Sequence, residues 1–270
     1  MLHTATHKLI KQRADHQIAV FGGRGHDERM NQTPVAVLLH GFTNSGASWQ
    51  PVVEALGQRY RAITPDIRGH ASNTAAWPIT LEAVIADITA LTSEDFTLAG
   101  YSQGGRIALH IALALPQRIR RLVLIGASPG IADDAGRAAR RLADERLAER
   151  IERLTIEQFA REWAQTPVLA DAPASVALAA YQDRLRSTPK GLAAALRGLG
   201  TGAVPPLWER LGELTIPVTL LAGARDTKFT ALAREMASLI PCADVRIVAD
   251  AGHAVHLERP DAVAQALLEG

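Results

Sequence analysis

Ser102 stands in the stretch GYSQGG, with Gly100 two residues before it and Gly104–Gly105 just after it. The residues leading in, Phe96 to Tyr101, are apolar and β-prone. From Gln103 on, apolar residues recur at Ile107, Ile111 and Leu115, a spacing of four. A strand therefore runs abruptly into a helix, with the serine on the turn between them. Such a turn strains the residue at its apex and lifts its hydroxyl above the sheet. Glycines at −2 and +2 remove side chains that would collide there. The helix N-terminus beyond offers free N–H groups and partial positive charge to a developing anion. This is the Gly-x-Ser-x-Gly pattern of a nucleophile elbow. Roughly 0.1 chance matches are expected in a chain of this length at average glycine and serine usage. The pattern gains its weight from falling on a strand–turn–helix boundary.

A serine hydroxyl is weak at its free pKa and needs an adjacent histidine, itself oriented by an acid. In an elbow of this kind the chain order is Ser, then Asp or Glu, then His. Of nine histidines, only His110, His253 and His256 follow Ser102. His110 lies eight residues into the helix behind the elbow and reads as a packed or surface residue. His253, in DAGH, follows the last strand-like run and is the expected base, with His256 as the fallback. For the acid, Asp226 lies just beyond the run 217–223, on a loop that would neighbour the histidine loop. Asp250 competes, since many loop aspartates only cap turns. Oxyanion donors are the fourth need. The backbone N–H groups of Phe42, in LLHGFTNSG, and of Gln103 are the candidates, although His40–Gly41 can also be read as a simple turn.

These residues need a scaffold that brings distant loops to one edge. Six nearly continuous apolar runs stand out, at 34–40, 60–66, 96–101, 121–127, 217–223 and 244–250. Runs without alternation mark strands buried on both faces, as in a parallel sheet. Helical patterns near 49–59, 80–92, 103–115, 230–240 and 260–269 separate them, which predicts a mostly parallel, doubly wound α/β sheet. HQIAVFGG, near the N-terminus, suggests an antiparallel edge strand. Between Ser128 and Pro217 the rhythm changes to helix after helix, at about 133–154, 155–165, 174–187 and 191–199. Thr155 and Gln158 stand there at capping-box spacing. The expectation is a core of 1–128 and 217–270, with 129–216 inserted as a helical cap over the sheet's carboxyl edge, where α/β ligands bind.

At 270 residues and 47% apolar content the chain can bury one large core. A formal net charge of +1 argues against nucleic acid or a membrane surface as main partner. The single Cys242 can form no internal disulfide and suggests a reducing compartment. The opening residues lack the apolar core of a signal peptide, and no run approaches the ~18 apolar residues of a membrane span. A cytoplasmic enzyme acting on a small molecule is expected, as a monomer or weak homo-oligomer. No Cys/His cluster has metal-ligand spacing and no phosphate-binding loop is present, so neither metal nor cofactor is expected.

HGF, DIRGHAS, GYSQGG, the Asp226 loop and GHAVHLE together resemble the α/β-hydrolase superfamily across nearly the whole chain. One departure is Ala71 in GHAS, where that superfamily usually has glycine. GYSQGGR, SPGI followed by RAAR, LRS, GTG..PPLW and RDTKF resemble more narrowly the 2-succinyl-6-hydroxy-2,4-cyclohexadiene-1-carboxylate synthases of menaquinone biosynthesis. That family are lyases on a hydrolase scaffold, which eliminate pyruvate from a cyclohexene precursor bearing several carboxylates. The resemblance implies a triad of Ser102, Asp226 and His253, no cofactor, and substrate contacts at Tyr101, Arg106, Arg140, Trp163 and Arg186.

Arg106 also speaks for itself. One helical turn beyond the serine, in a helix expected to be buried, a guanidinium needs an anionic partner or a route to solvent. A carboxylate-rich substrate would be that partner; a structural ion pair is the alternative. Arg140 lies on a helix rich in both charges and can simply be solvated, and Trp163 can be ordinary core. Two rivals stand beside the lyase: a hydrolase with the same triad, either a carboxylesterase or a carbon–carbon bond hydrolase, and a non-enzymatic binding relative. The hydrolase would not need Arg106 beside its serine. The binding module would not need all three triad members.

Overall fold

The computed structural model describes residues 33–269; the edge strand expected near 16–23 lies outside them. Six strands, β1 (Val35–Leu39), β2 (Arg61–Ile63), β3 (Phe96–Tyr101), β4 (Ile119–Ile125), β5 (Val218–Gly223) and β6 (Ala243–Val248), form one parallel sheet in the order β2-β1-β3-β4-β5-β6. Between and after them run α1 (Gln50–Leu56), α2 (Leu81–Ala90), α3 (Gln103–Ala114), α4 (Asp134–Glu152), α5 (Ile156–Ala164), α6 (Ala174–Arg184), α7 (Pro189–Leu199), α8 (Thr227–Leu239), α9 (Val255–Glu258) and α10 (Pro260–Leu268).

The unalternating runs are explained by cover on both faces. Along β1, Val35, Val37 and Leu39 join one apolar cluster with residues of α2, α3 and α8, while Ala36 and Leu38 join a second with residues of α1 and α10. All five are buried. Each leucine so placed contributes roughly 1.5–3 kcal/mol of apolar transfer free energy. The run at 60–66 pairs over only three residues, Arg61–Ile63. Pro65 has no N–H for a ladder, and the chain turns there to bring Asp66 under Gly46, whose N–H it accepts at 2.8 Å.

Between β4 and β5 the described chain is helical, with no strand. The capping box is complete: Gln158 N–H donates to Thr155 Oγ1 at 3.3 Å, and Thr155 N–H donates to Gln158 Oε1 at 2.9 Å. α4, α5 and α7 bury Ala148, Ile151, Phe159, Leu192 and Leu196 in a cluster separate from the sheet. None of the described helices is long and apolar enough to cross a membrane.

Candidate active site

Strand order 2-1-3 places a topological switch between β1 and β3, where the connections leave in opposite directions and open a crevice at the carboxyl edge. Ser102 follows β3 and the loop with Phe42 follows β1, so both line that crevice. Ser102 has φ 51 and ψ −110, a backbone state that L-residues rarely adopt. Its glycines are required by contact. A Cβ on Gly100 would lie 2.4 Å from the Gly104 carbonyl oxygen, and one on Gly104 would lie 2.2 Å from that of Leu39.

Ser102, Asp226 and His253 come together from the ends of β3, β5 and β6. His253 Nε2 is 3.3 Å from Ser102 Oγ, and His253 Nδ1 is 2.6 Å from Asp226 Oδ2. With Nδ1–H donating to the carboxylate, Nε2 is left free to accept the serine proton. The other Asp226 oxygen accepts the Phe229 N–H at 3.2 Å and caps α8. This cap is why α8 starts at Thr227 rather than near 230. The alternatives fall elsewhere. Asp250 is exposed in a turn with φ 55. His256 is fully buried, with both ring nitrogens unpartnered, between the rings of Tyr101 and Trp49. Burial pushes its pKa down to about 3. His110 is buried in α3 and held down to about 4 by burial and by Arg106.

Gln103 opens α3, so its N–H is among those left free by the helix. Phe42 lies in a turn closed by Asn44 N–H donating to Gly41 O at 3.1 Å. Behind that turn, His40 is more than a turn residue. Nδ1 donates to Gly41 O and Nε2 accepts the Ile67 N–H, both at 2.9 Å, which fixes a neutral ring. Its pKa is lowered by burial.

Two lobes meet at Ser102. The larger, about 430 Å³, is lined by Phe42, Gln103, Arg106, Arg140, Trp163, Lys228 and His253 among others. The smaller, about 90 Å³, adds Tyr101 and Arg184. Arg106 is 6% exposed and bonds only the Leu199 carbonyl, at 3.4 Å, with Nε unpartnered. Burial, and then the charge of Arg140, push its pKa down to about 10. Among the described residues no carboxylate pairs with it, so the structural ion pair weighed above is not what holds Arg106. Arg140 reaches the same lobe while its Nε pairs with Asp144 at 2.7 Å. Trp163 packs edge-on to Phe42 at 5.3 Å, and so is both core and cavity wall.

Arg186 is placed apart. Its side chain is 63% exposed, faces Asp183 at 3.7 Å, and lines a surface groove without Ser102. Arg184, two residues earlier and 4% exposed, lines the smaller lobe instead. Arg184 and Lys228 were not singled out from sequence. Lys228 stands inside RDTKF, two residues past the acid, and that proximity was the available signal. For Arg184 none existed, because α6 ends at that residue and nothing in DRLRS tells which of the two arginines there turns inward.

Residues 34–260 match the model of the α/β hydrolase fold family. The chain is 35% identical over 246 residues to a Bacillus subtilis (strain 168) protein provisionally named 2-succinyl-6-hydroxy-2,4-cyclohexadiene-1-carboxylate synthase, covering 87% of this chain and 89% of that one. The chain belongs to this synthase family of α/β hydrolases. A family member of Salmonella newport (strain SL254), bearing the name without qualification, is 35% identical over 242 residues, 88% of this chain and 93% of its own. Among solved structures, MenH from S. aureus superimposes with a TM-score of 0.83 at 32% identity, covering 88% of this chain and 92% of that one. A malate-bound thermophilic esterase from Thermogutta terrifontis gives 0.74 at 27%, covering 87% and 88%.

Proposed function

We propose that this synthase-family chain is the lyase that eliminates pyruvate from 2-succinyl-5-enolpyruvyl-6-hydroxy-3-cyclohexene-1-carboxylate, giving 2-succinyl-6-hydroxy-2,4-cyclohexadiene-1-carboxylate. One observation carries the reading beyond family likeness: Arg106, Arg140, Lys228 and Arg184 line the two lobes at Ser102, and among the described residues no carboxylate does. Such a cavity favours a ligand that brings several carboxylates of its own, since each desolvated guanidinium then gains a directional partner.

In this reading the Ser102 proton passes to His253 Nε2, and Asp226 steadies the imidazolium. The serine oxygen takes the proton from the ring carbon beside the succinyl ketone. That C–H electron pair moves through the ring double bond, and the C–O bond to the enolpyruvyl group breaks. Pyruvate leaves as its enolate and is protonated to the keto form, with the proton on His253 available to it. The N–H groups of Phe42 and Gln103 hold the negative charge that builds on the ketone oxygen. Residues 129–216 act as a cap whose Trp163, Arg140 and Arg184 roof the pocket, while Tyr101 and Arg106 form its floor.

The test is to generate the precursor in situ with purified protein and follow pyruvate. Release that depends on both protein and precursor is expected. Absence of pyruvate, together with rapid hydrolysis of neutral esters, would move the chain to the hydrolase reading with its triad unchanged.

A further inference from the structure

The C-terminal end of α6 grips the loop after β1 through two adjacent residues. Asp183 is 8% exposed. Its carboxylate accepts the Ser45 backbone N–H at 2.9 Å, Asn44 Nδ2 at 3.3 Å, and the Ser45 hydroxyl. The next residue, Arg184, donates from Nε to Thr43 Oγ1 at 3.2 Å. Three consecutive loop residues, Thr43, Asn44 and Ser45, are thus tied to a helix some 140 positions away in the chain.

This loop needs holding. Thr43 has φ 71, a left-handed state that is costly for a β-branched residue. Left untied, it would relax toward extended backbone. The peptide planes on either side would then turn, carrying with them Phe42, whose N–H is the oxyanion donor assigned above. Other bonds also hold the loop's backbone: Asn44 N–H donates to Gly41 O at 3.1 Å across Phe42 and Thr43, Gly46 N–H to Asp66 Oδ1 at 2.8 Å, and Ser48 N–H and Oγ–H to Ser45 O at 3.1 and 2.7 Å. None of these engages the Ser45 N–H or the Asn44 side chain. A buried carboxylate taking three bonds from one loop is a directional clamp that a neutral acceptor would not match.

We propose that Asp183 is a positioning residue for the reaction: seated on α6, its carboxylate sets the Phe42 oxyanion donor, so that the oxyanion hole is complete only when the cap helix is docked. This rests on the assignment of Phe42 and Ser102 above. Asp183 need not touch the substrate, and its action runs through Asn44 and Ser45.

The experiment compares wild type with Asp183→Asn, Asp183→Ala and the milder Ser45→Ala, each checked for a cooperative melt. Two readouts are taken. One is kcat and KM for pyruvate release. The other is the rate at which a neutral alkyl fluorophosphonate labels Ser102, whose phosphoryl oxygen occupies the oxyanion position as the P–O bond forms and fluoride leaves. Displacing one donor is expected to lower kcat of folded Asp183→Ala by about 10- to 100-fold, somewhat less than outright loss of a donor. KM should stay within about threefold, labelling should slow in parallel with kcat, and Ser45→Ala should fall between. Unchanged kcat and labelling in a folded variant would overturn the proposal. So would a loss confined to KM, which would make Asp183 a prop for the substrate-binding cap alone. Slowed labelling in the variants, with no pyruvate from wild type, would sink the lyase reading and leave the clamp standing.

Discussion

At the scale of single residues, the contact chain Asp226–His253–Ser102 predicts non-additive loss. Ser102→Ala and His253→Ala should each lower kcat by ~10³ or more, and the double variant should lose little further, as expected of three groups proposed to act as one unit. His256→Ala tests the alternative base. With its ring sealed between Tyr101 and Trp49, its removal should lower the melting temperature and leave kcat of the folded protein within about tenfold. An inactive His256→Ala beside an active His253→Ala would reverse the assignment. The buried guanidiniums make a second prediction. Arg106→Ala should cost roughly 2–5 kcal/mol in kcat/KM on the carboxylated precursor, and much less on a small neutral ester, by analogy with truncated buried charge pairs. Arg184→Ala should lower kcat/KM on the precursor as Arg106→Ala does but also slow the neutral ester, because Arg184 holds Thr43 as well, whereas Arg186→Ala, in an exposed pair, should change kcat/KM by less than about threefold. Equal effects at 184 and 186 would mean that α6 turns differently from the arrangement described.

At the scale of elements, two local devices act on stability away from the Ser102–His253–Asp226 contacts. Ala71 lies at φ 38 in the turn after β2, a region glycine enters without cost. Its N–H donates to Ser187 Oγ at 3.0 Å, a bond that glycine would keep. Ala71→Gly is therefore expected to stabilise the protein by about 0.5–1 kcal/mol in urea unfolding, with kcat unchanged, the strain relieved outweighing the added chain entropy. A destabilised variant would show that the surroundings of residue 71 relieve the strain already. The capping box of α5 works the other way. Thr155→Ala removes the acceptor for Gln158 N–H and should cost about 1 kcal/mol. Since α5 carries Trp163 on the cavity wall, that loss should be accompanied by a higher KM.

At the scale of the whole molecule, burial of neutral histidines sets the acid side of stability. His70 and His256 are pushed down to about 3, and His110 to about 4, in each case chiefly by burial. Their usual value is 6.5. Folded pKa values lie below the unfolded ones, so the unfolded chain binds more protons once pH falls below about 6.5. Stability from these groups is complete above pH 6.5 and declines from there toward pH 4. Near pH 5 unfolding should take up about three protons on their account. The urea midpoint should fall steadily from pH 7 to pH 5, and His110→Gln should flatten that slope by about one proton. A midpoint independent of pH over that window would contradict the burial of these rings.

Much of this protein was legible as sequence because its signals are local. The elbow is six residues whose glycines are demanded by the backbone itself. The strands are apolar throughout because both faces are covered, and the helical segment announces itself by period and by one capping box. The strand ends from which their loops leave then favoured Asp226 over Asp250 and His253 over His256 as expectations. What the sequence could not carry is which way a side chain turns once helices dock. Arg184 faces the cavity and Arg186 the surface, although nothing in DRLRS distinguishes them. The packing of α6 on the loop after β1 decides that, and with it the seat of Asp183 against Asn44 and Ser45. That no carboxylate among the described residues pairs with Arg106 was likewise invisible, since it depends on what every neighbouring element brings to one cavity. Local backbone chemistry is written in adjacent residues; the charge balance of a pocket is a sum over strand ends and helices that only the folded chain assembles.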